Sequence, residues 1–139
     1  MSRNHFDVLI IGAGLSGVGA ACHLSRDCPD RSFALIERRP RMGGTWDLFR
    51  YPGIRSDSDM YTLGYNFRPW TDPKVLADGT SIREYIVDTA REYGVEDKIH
   101  YGLRMLGADF STETSLWTVQ VEHEESGERE TYTCQFLLC

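Results

Sequence analysis

Gly12, Gly14 and Gly17 stand between a β-branched apolar run, Phe6-Asp7-Val8-Leu9-Ile10-Ile11, and a small-residue stretch from Ser16 to Arg26. In that context the spacing suits a turn that cradles a pyrophosphate. Gly12 permits the tight turn, Gly14 lets a phosphate approach the backbone, and Gly17 lets helix and strand pack closely. The helix opening here offers free N–H groups and a partial positive charge, so Leu15 and Ser16 join the glycines as candidate contacts. Glu37 ends a second strand, 20 residues beyond Gly17, with Arg38 beside it. A carboxylate there can accept hydrogen bonds from both ribose hydroxyls of an adenosine and would repel a 2′-phosphate, which favours FAD or NAD over NADP. The rival reading is a glycine-rich turn in an unrelated α/β protein and a solvated glutamate beside Arg38 and Arg39. Strand, turn, helix and acid in this order make it the weaker one.

Glycine spacing does not separate FAD from NAD; the next segment does more. Arg41-Met42-Gly43-Gly44-Thr45-Trp46 places two more flexible residues and a large aromatic soon after the second strand, as backbone passing close to a long cofactor requires. Gly43-Gly44-Thr45-Trp46, Arg50-Tyr51-Pro52-Gly53 and Arg55-Ser56-Asp57 together resemble the class B flavin monooxygenases of Baeyer–Villiger type. The run from Trp46 to Tyr61 resembles most closely the ethionamide-activating members of that family. The resemblance implies bound FAD, NADPH as hydride donor, dioxygen as oxidant, and a small-molecule ketone or sulfur-containing substrate. It implies that Gly12, Gly14, Gly17 and Glu37 hold the ADP part of FAD, and that Gly44, Thr45 and Trp46 line the flavin side. Leu15, Ser16, Arg38 and Tyr61 complete the expected cofactor contacts. Asp57 matches the family's active-site aspartate, which helps position NADP and an arginine near the flavin. On residue types alone Asp57 is a turn or cap residue among Ser56, Ser58 and Asp59, and Arg50, Tyr51 and Arg55 brace the loop.

The same family carries a second Gly-x-Gly-x-x-Gly unit for NADPH, an FxGxxxHxxxWP-type fingerprint and a catalytic arginine on its NADPH domain, none of which occurs here. The expectation is that residues 1–139 are the N-terminal part of an FAD-binding domain, with the NADPH-binding domain and the rest of the FAD domain absent from this chain. Such a piece is not expected to turn over alone.

The elements that must position these residues are those of an α/β, Rossmann-like FAD-binding domain of glutathione-reductase type, with a parallel sheet and a three-stranded antiparallel excursion, truncated. A strand over 6–11, a helix over 16–26 with Ala20, Ala21 and Leu24 inward, and a strand over 32–37 make the βαβ unit. Residues 38–73 are irregular. Ser81 and Glu84 can form a capping box for a helix in which Ile82, Tyr85, Ile86, Thr89, Ala90 and Tyr93 share a face until Gly94 stops it. Met105 to Phe110, an alternating run at Trp117, Val119 and Val121, and another at Tyr132, Cys134 and Phe136 supply the three strands, with a turn at 125–128. Phe136 to Cys139 reads as the start of another buried strand.

Composition sets outer limits. With 41% hydrophobic and 26% charged residues the chain is globular, and a net charge of −6 gives no support to nucleic-acid binding. Cys22, Cys28, Cys134 and Cys139 lack zinc-site spacing and read as free thiols of the cytoplasm. The run from Val8 to Ile11 is too short for a signal core or a membrane span, which leaves membrane-surface association open. His5, His23, His100 and His123 are scattered and read as surface or packing residues. Two alternatives stand beside the monooxygenase reading: a dinucleotide-binding module or sensor without turnover, and an NAD-dependent dehydrogenase. The loop from Trp46 to Tyr61 argues against a pure binding module, which needs no flavin-side residues.

Overall fold

The computed structural model describes residues 4–139. Strand β1 (His5–Ile11), helix α1 (Leu15–Asp27) and strand β2 (Phe33–Glu37) form the first crossover, with Val8 paired to Phe33 and Ile11 to Ile36 in parallel register. Two one-turn helices, α2 (Thr45–Leu48) and α3 (Met60–Leu63), interrupt the glycine- and proline-rich stretch that follows. Helix α4 (Gly79–Glu92) then leads to β3 (Ile99–Tyr101), which lies parallel to β2 on its outer side. Three longer strands finish the chain: β4 (Leu103–Ser111), β5 (Leu116–His123) and β6 (Arg129–Leu138).

Among the described residues the six strands belong to one sheet, in the order β3-β2-β1-β6-β5-β4. The antiparallel excursion is therefore joined edge to edge to the parallel part, and β6 is the joint. Its residues from Arg129 to Cys134 pair antiparallel with β5, and those from Thr133 to Leu138 pair parallel with β1. This corrects the expectation of a separate buried strand at 136–139. The segment is the continuation of β6, and Phe136 and Leu138 are exposed.

Period-two alternation divides the apolar side chains between the two faces of the sheet. Val8, Ile10, Phe33 and Leu35 pack under α1 and α4, against Val18, Ala21, Cys22, Ile82, Ile86 and Ala90. Leu9, Ala34 and Ile36 pack on the other face with Leu103, Val119, Val121, Tyr132 and Cys134. The inward face of α1 is thus Val18, Ala21 and Cys22. Ala20 and Leu24, expected there with Ala21, are only partly buried against the same core. Gly19 belongs to this face for a steric reason: a Cβ on it would stand 2.8 Å from the Tyr65 ring.

Helix α4 keeps its expected buried stripe, Ile82, Tyr85, Ile86, Thr89 and Ala90. Gly94 ends it with φ near +68°. Its start differs. The cap is Asp78, whose carboxylate accepts from the Ser81 amide at 3.1 Å and the Ser81 hydroxyl at 2.7 Å. Ser81 is therefore the residue that is capped, and no Ser81–Glu84 box forms. Aspartate accepts without needing a proton, so it serves the exposed helical N–H groups well. Asp78→Ala is expected to cost about 1 kcal/mol, read as a lower urea midpoint at unchanged slope. An unshifted midpoint would remove the cap from the account.

Candidate functional site

The C-terminal ends of β1 and β2 deliver the two glycine turns to one place. Gly12 accepts φ near +103° as the chain leaves β1, and Gly12 N–H donates to the Ile36 carbonyl at 2.8 Å. The second turn, at Gly43 and Gly44, has φ near +122° and +54°. The two turns touch backbone to backbone. Gly43 N–H donates to the Ala13 carbonyl at 2.9 Å, and a Cβ on Gly44 would lie 3.0 Å from the Gly14 Cα. A side chain at Gly44 would press the turns apart, which is the tertiary reason for glycine there.

Between the turns lies an open cavity of about 280 Å3, lined by Gly12, Gly14, Leu15, Ser16, Gly17, Gly43, Gly44, Thr45 and Trp46, with Ile11 at its edge. Helix α1 begins there with Gly14 as its cap, no side-chain cap hydrogen bond, and no acid in its first turn. Its first intrahelical amide is Val18 N–H, bonded to the Gly14 carbonyl at 3.0 Å. The preceding amides at Leu15, Ser16 and Gly17 are thus left to an external acceptor, and the helix dipole favours an anion as that acceptor. The volume falls below the roughly 300–1,000 Å3 usual for a whole small-molecule site. These residues suit the phosphates and adjoining sugar of a dinucleotide better than all of it.

Glu37 sits behind this cavity, buried at the end of β2. Its carboxylate accepts from the Ala13 amide at 2.7 Å and the Arg39 amide at 3.2 Å. The acid therefore braces the glycine turn, and its two oxygens retain lone pairs for further donors. Arg38 points elsewhere: it is exposed and pairs with Glu124 at 2.7 Å, tying β2 to the turn after β5. Asp57 and Tyr61 do not line the cavity between the glycine turns. Asp57 is exposed, and among the described residues its carboxylate has no hydrogen-bond or ion-pair partner. The capping role belongs to Asp59, which accepts from the Thr62 amide at 3.0 Å, and the turn is closed by the Ser56 hydroxyl and the Ser58 carbonyl. The structural explanation open to Asp57 on sequence grounds thus falls to its neighbours.

Asp47 carries the largest feature that residue spacing did not reveal. It is fully buried in α2, one residue past Trp46. Its Oδ1 accepts from Arg41 Nε at 3.1 Å, Arg50 Nη2 at 2.6 Å and Arg83 Nε at 2.9 Å, while Oδ2 accepts from Arg39 Nη2 at 2.9 Å. Burial pushes this carboxyl up, but the four guanidinium hydrogen bonds outweigh it and hold the group well below the usual carboxylate range. Four arginines on one carboxylate draw together the end of β2, the Gly-Gly turn, the following loop and α4. The density of arginine between 38 and 50 was visible in the sequence; the partner on α4 was not.

Residues 10–75 match the model of an NAD(P)-binding Rossmann-like domain. The chain is 65% identical over 136 residues to the FAD-containing monooxygenase MymA of Mycobacterium tuberculosis, covering 98% of this chain and 28% of that protein. It is 54% identical over 136 residues to the FAD-containing monooxygenase EthA of the same organism, covering 97% of this chain and 27% of that one. A structure of oxidised steroid monooxygenase bound to NADP superimposes with a TM-score of 0.82 at 25% identity, over 96% of this chain and 25% of the other. Close relatives of this chain are therefore FAD-containing monooxygenases, and the chain spans about a quarter of their length.

Proposed function

We propose that residues 1–139 form the N-terminal part of the FAD-binding domain of an NADPH- and oxygen-dependent flavin monooxygenase, acting on a ketone or a sulfur centre. The observation that carries this reading is the paired glycine turns at the start of α1, which no side chain caps, and which pack so closely that a Cβ on Gly17 or Gly44 would meet the backbone of the first turn. The residues fit the cofactor: Leu15, Ser16 and Gly17 supply amides for its phosphates, and Gly12, Gly14 and Gly44 allow close approach. Glu37 offers its remaining lone pairs to the ribose hydroxyls, and Thr45 and Trp46 face the flavin side. Asp57, free of structural duty, is the acid available to orient a second nucleotide and a guanidinium near the reacting ring, and the exposed Tyr61 is a further cofactor contact. Arg38, bound to Glu124, would have to exchange that partner to reach the adenosine. FAD, when bound, would supply the redox centre between NADPH and dioxygen. The part of the reaction this chain serves is binding and orientation. Four unpaired cysteines support placement in a reducing compartment, the cytoplasm, and no helix among the described residues is long and apolar enough to cross a membrane.

The test is titration of the purified chain with FAD, followed by flavin absorbance and fluorescence after gel filtration. Weak, saturable binding is expected, because the cavity accommodates only part of the cofactor. Saturable binding of NAD, with no response to FAD, would favour the dehydrogenase reading. Glu37→Gln provides a second check. The amide keeps one acceptor oxygen but places a donor toward the Ala13 or Arg39 N–H, so affinity for ADP is expected to fall about tenfold, the effect of one lost charge-assisted hydrogen bond. Unchanged affinity would confine Glu37 to bracing the turn.

A further inference from the structure

Beside the glycine cavity, and sharing Trp46 with it, lies a second cavity of about 370 Å3. Its lining includes Arg41, Arg50 and Arg83, Thr80, and aromatic walls from Trp46, Phe49 and Tyr51; no acid among the described residues lines it. Surface arginines are ordinarily solvated and mobile, and most such clusters bind nothing in particular. These three differ because one buried carboxylate holds them in place. Arg41 and Arg83 reach Asp47 through Nε. Their terminal Nη groups, each a pair of N–H donors, have no acceptor among the described residues. Arg50 spends Nε and Nη2 on Asp47. With Arg39, four positive charges share the single negative charge of Asp47.

We propose that this cavity is a second anion subsite, which takes the phosphate group of a nucleotide-class ligand. Guanidinium forks match phosphate oxygens in pairs, and the aromatic walls suit a planar ring attached to that phosphate. The ordering entropy of long side chains is largely met within the fold, since Asp47 already fixes the three arginines; an incoming anion therefore loses less on binding. The subsite rests on the nucleotide-handling reading of the neighbouring glycine turns, but its residues are separate from those that would hold the first dinucleotide, Trp46 excepted.

The experiment is a titration of the isotope-labelled chain with inorganic pyrophosphate, following backbone amides and arginine Nε–H signals by NMR. Saturable shifts at the Nε–H of Arg41, Arg50 and Arg83 and at the Thr80 amide are expected. The double variant R41Q/R83Q, which leaves Asp47 paired with Arg39 and Arg50, should weaken that response at least tenfold. R83K, which keeps the charge and loses the fork, should weaken it less, and its spectrum serves if the double variant misfolds. In parallel, ADP should shift the amides from Gly12 to Gly17 in wild type and variants alike. If ADP fails there while pyrophosphate binds the arginines, the dinucleotide reading fails and the subsite stands. Pyrophosphate shifts confined to the glycine turns, non-saturating shifts at the arginines, or wild-type binding by R41Q/R83Q would each overturn the subsite.

Discussion

Gly17→Ala is expected to abolish FAD binding and to lower the stability of the whole chain. A Cβ at this position would stand 2.0 Å from the Gly12 carbonyl oxygen and 2.9 Å from its carbon. Both are backbone atoms, so no side-chain rotation relieves the contact. The turn must open or α1 must move away from β1, and either change displaces the Leu15, Ser16 and Gly17 amides that we propose meet the phosphates. Overpacking typically costs about 1–3 kcal/mol, and a clash with rigid backbone belongs at the upper end. Gly107→Ala is the control, because nothing lies within 4 Å of its Cβ position. Thermal unfolding and FAD titration of both variants read the effect. Wild-type affinity in Gly17→Ala would remove the turn from the binding account.

Asp47→Ala should be the most destabilising single change in the loop region. Removing one member of a buried charged cluster typically costs about 3–5 kcal/mol, because the remaining charges lose their compensation. Here the four arginine side chains are each partly exposed, between 30% and 58%, and can recover some hydration, which points to the lower end of that range. Asp47→Asn keeps the shape and removes the charge, so it should fall between wild type and alanine. The pH dependence has a definite sign. The folded carboxyl is held below its unfolded value, so its contribution is fully present above about pH 4, the ordinary carboxylate value. It is lost progressively as pH falls below that toward the folded value. Urea unfolding from pH 6 downward should show wild type losing stability more steeply than Asp47→Asn. Parallel curves for the two proteins would show that this carboxyl is not linked to folding.

The two variants act on different parts of one arrangement. Gly17 sets the distance between α1 and β1, while Asp47 sets where Trp46 and the Gly-Gly turn stand relative to α4. A chain altered at Asp47 can keep the first glycine turn, which is tied to β2 by the Gly12 N–H on the Ile36 carbonyl and by the Ala13 N–H on Glu37, and still lose the aromatic wall beside it. ADP affinity should consequently suffer less than FAD affinity in Asp47→Asn.

Much of this could be read from residue order. The strand over 6–11, the glycine turn, the strand to Glu37 and the buried stripe of α4 follow from period, turn chemistry and helix stop signals, all of which act over a few residues. The same holds for the alternation in β5 and β6. Local rules also explain the misses. Asp78 and Ser81 are both good cap residues, and only the entry of the chain into α4 decides between them. Phe136 to Leu138 has the composition of a buried strand wherever it pairs. Its placement as the far half of β6, beside β1, depends on contacts more than a hundred residues apart in sequence.

The sequence alone therefore determined that a dinucleotide-type turn exists here, because Gly12 takes a positive φ and Gly17 stands against the Gly12 carbonyl, both demands made within the turn itself. Tertiary structure alone decided what surrounds that turn. It brought Gly44 against Gly14 and buried Glu37 under the Ala13 amide. It relieved Asp57 of capping duty and gathered Arg39, Arg41, Arg50 and Arg83 around Asp47. The physical reason is range: steric and backbone hydrogen-bond preferences are written in adjacent residues. The partners of a charge depend on which distant side chains the packed core brings within hydrogen-bond reach.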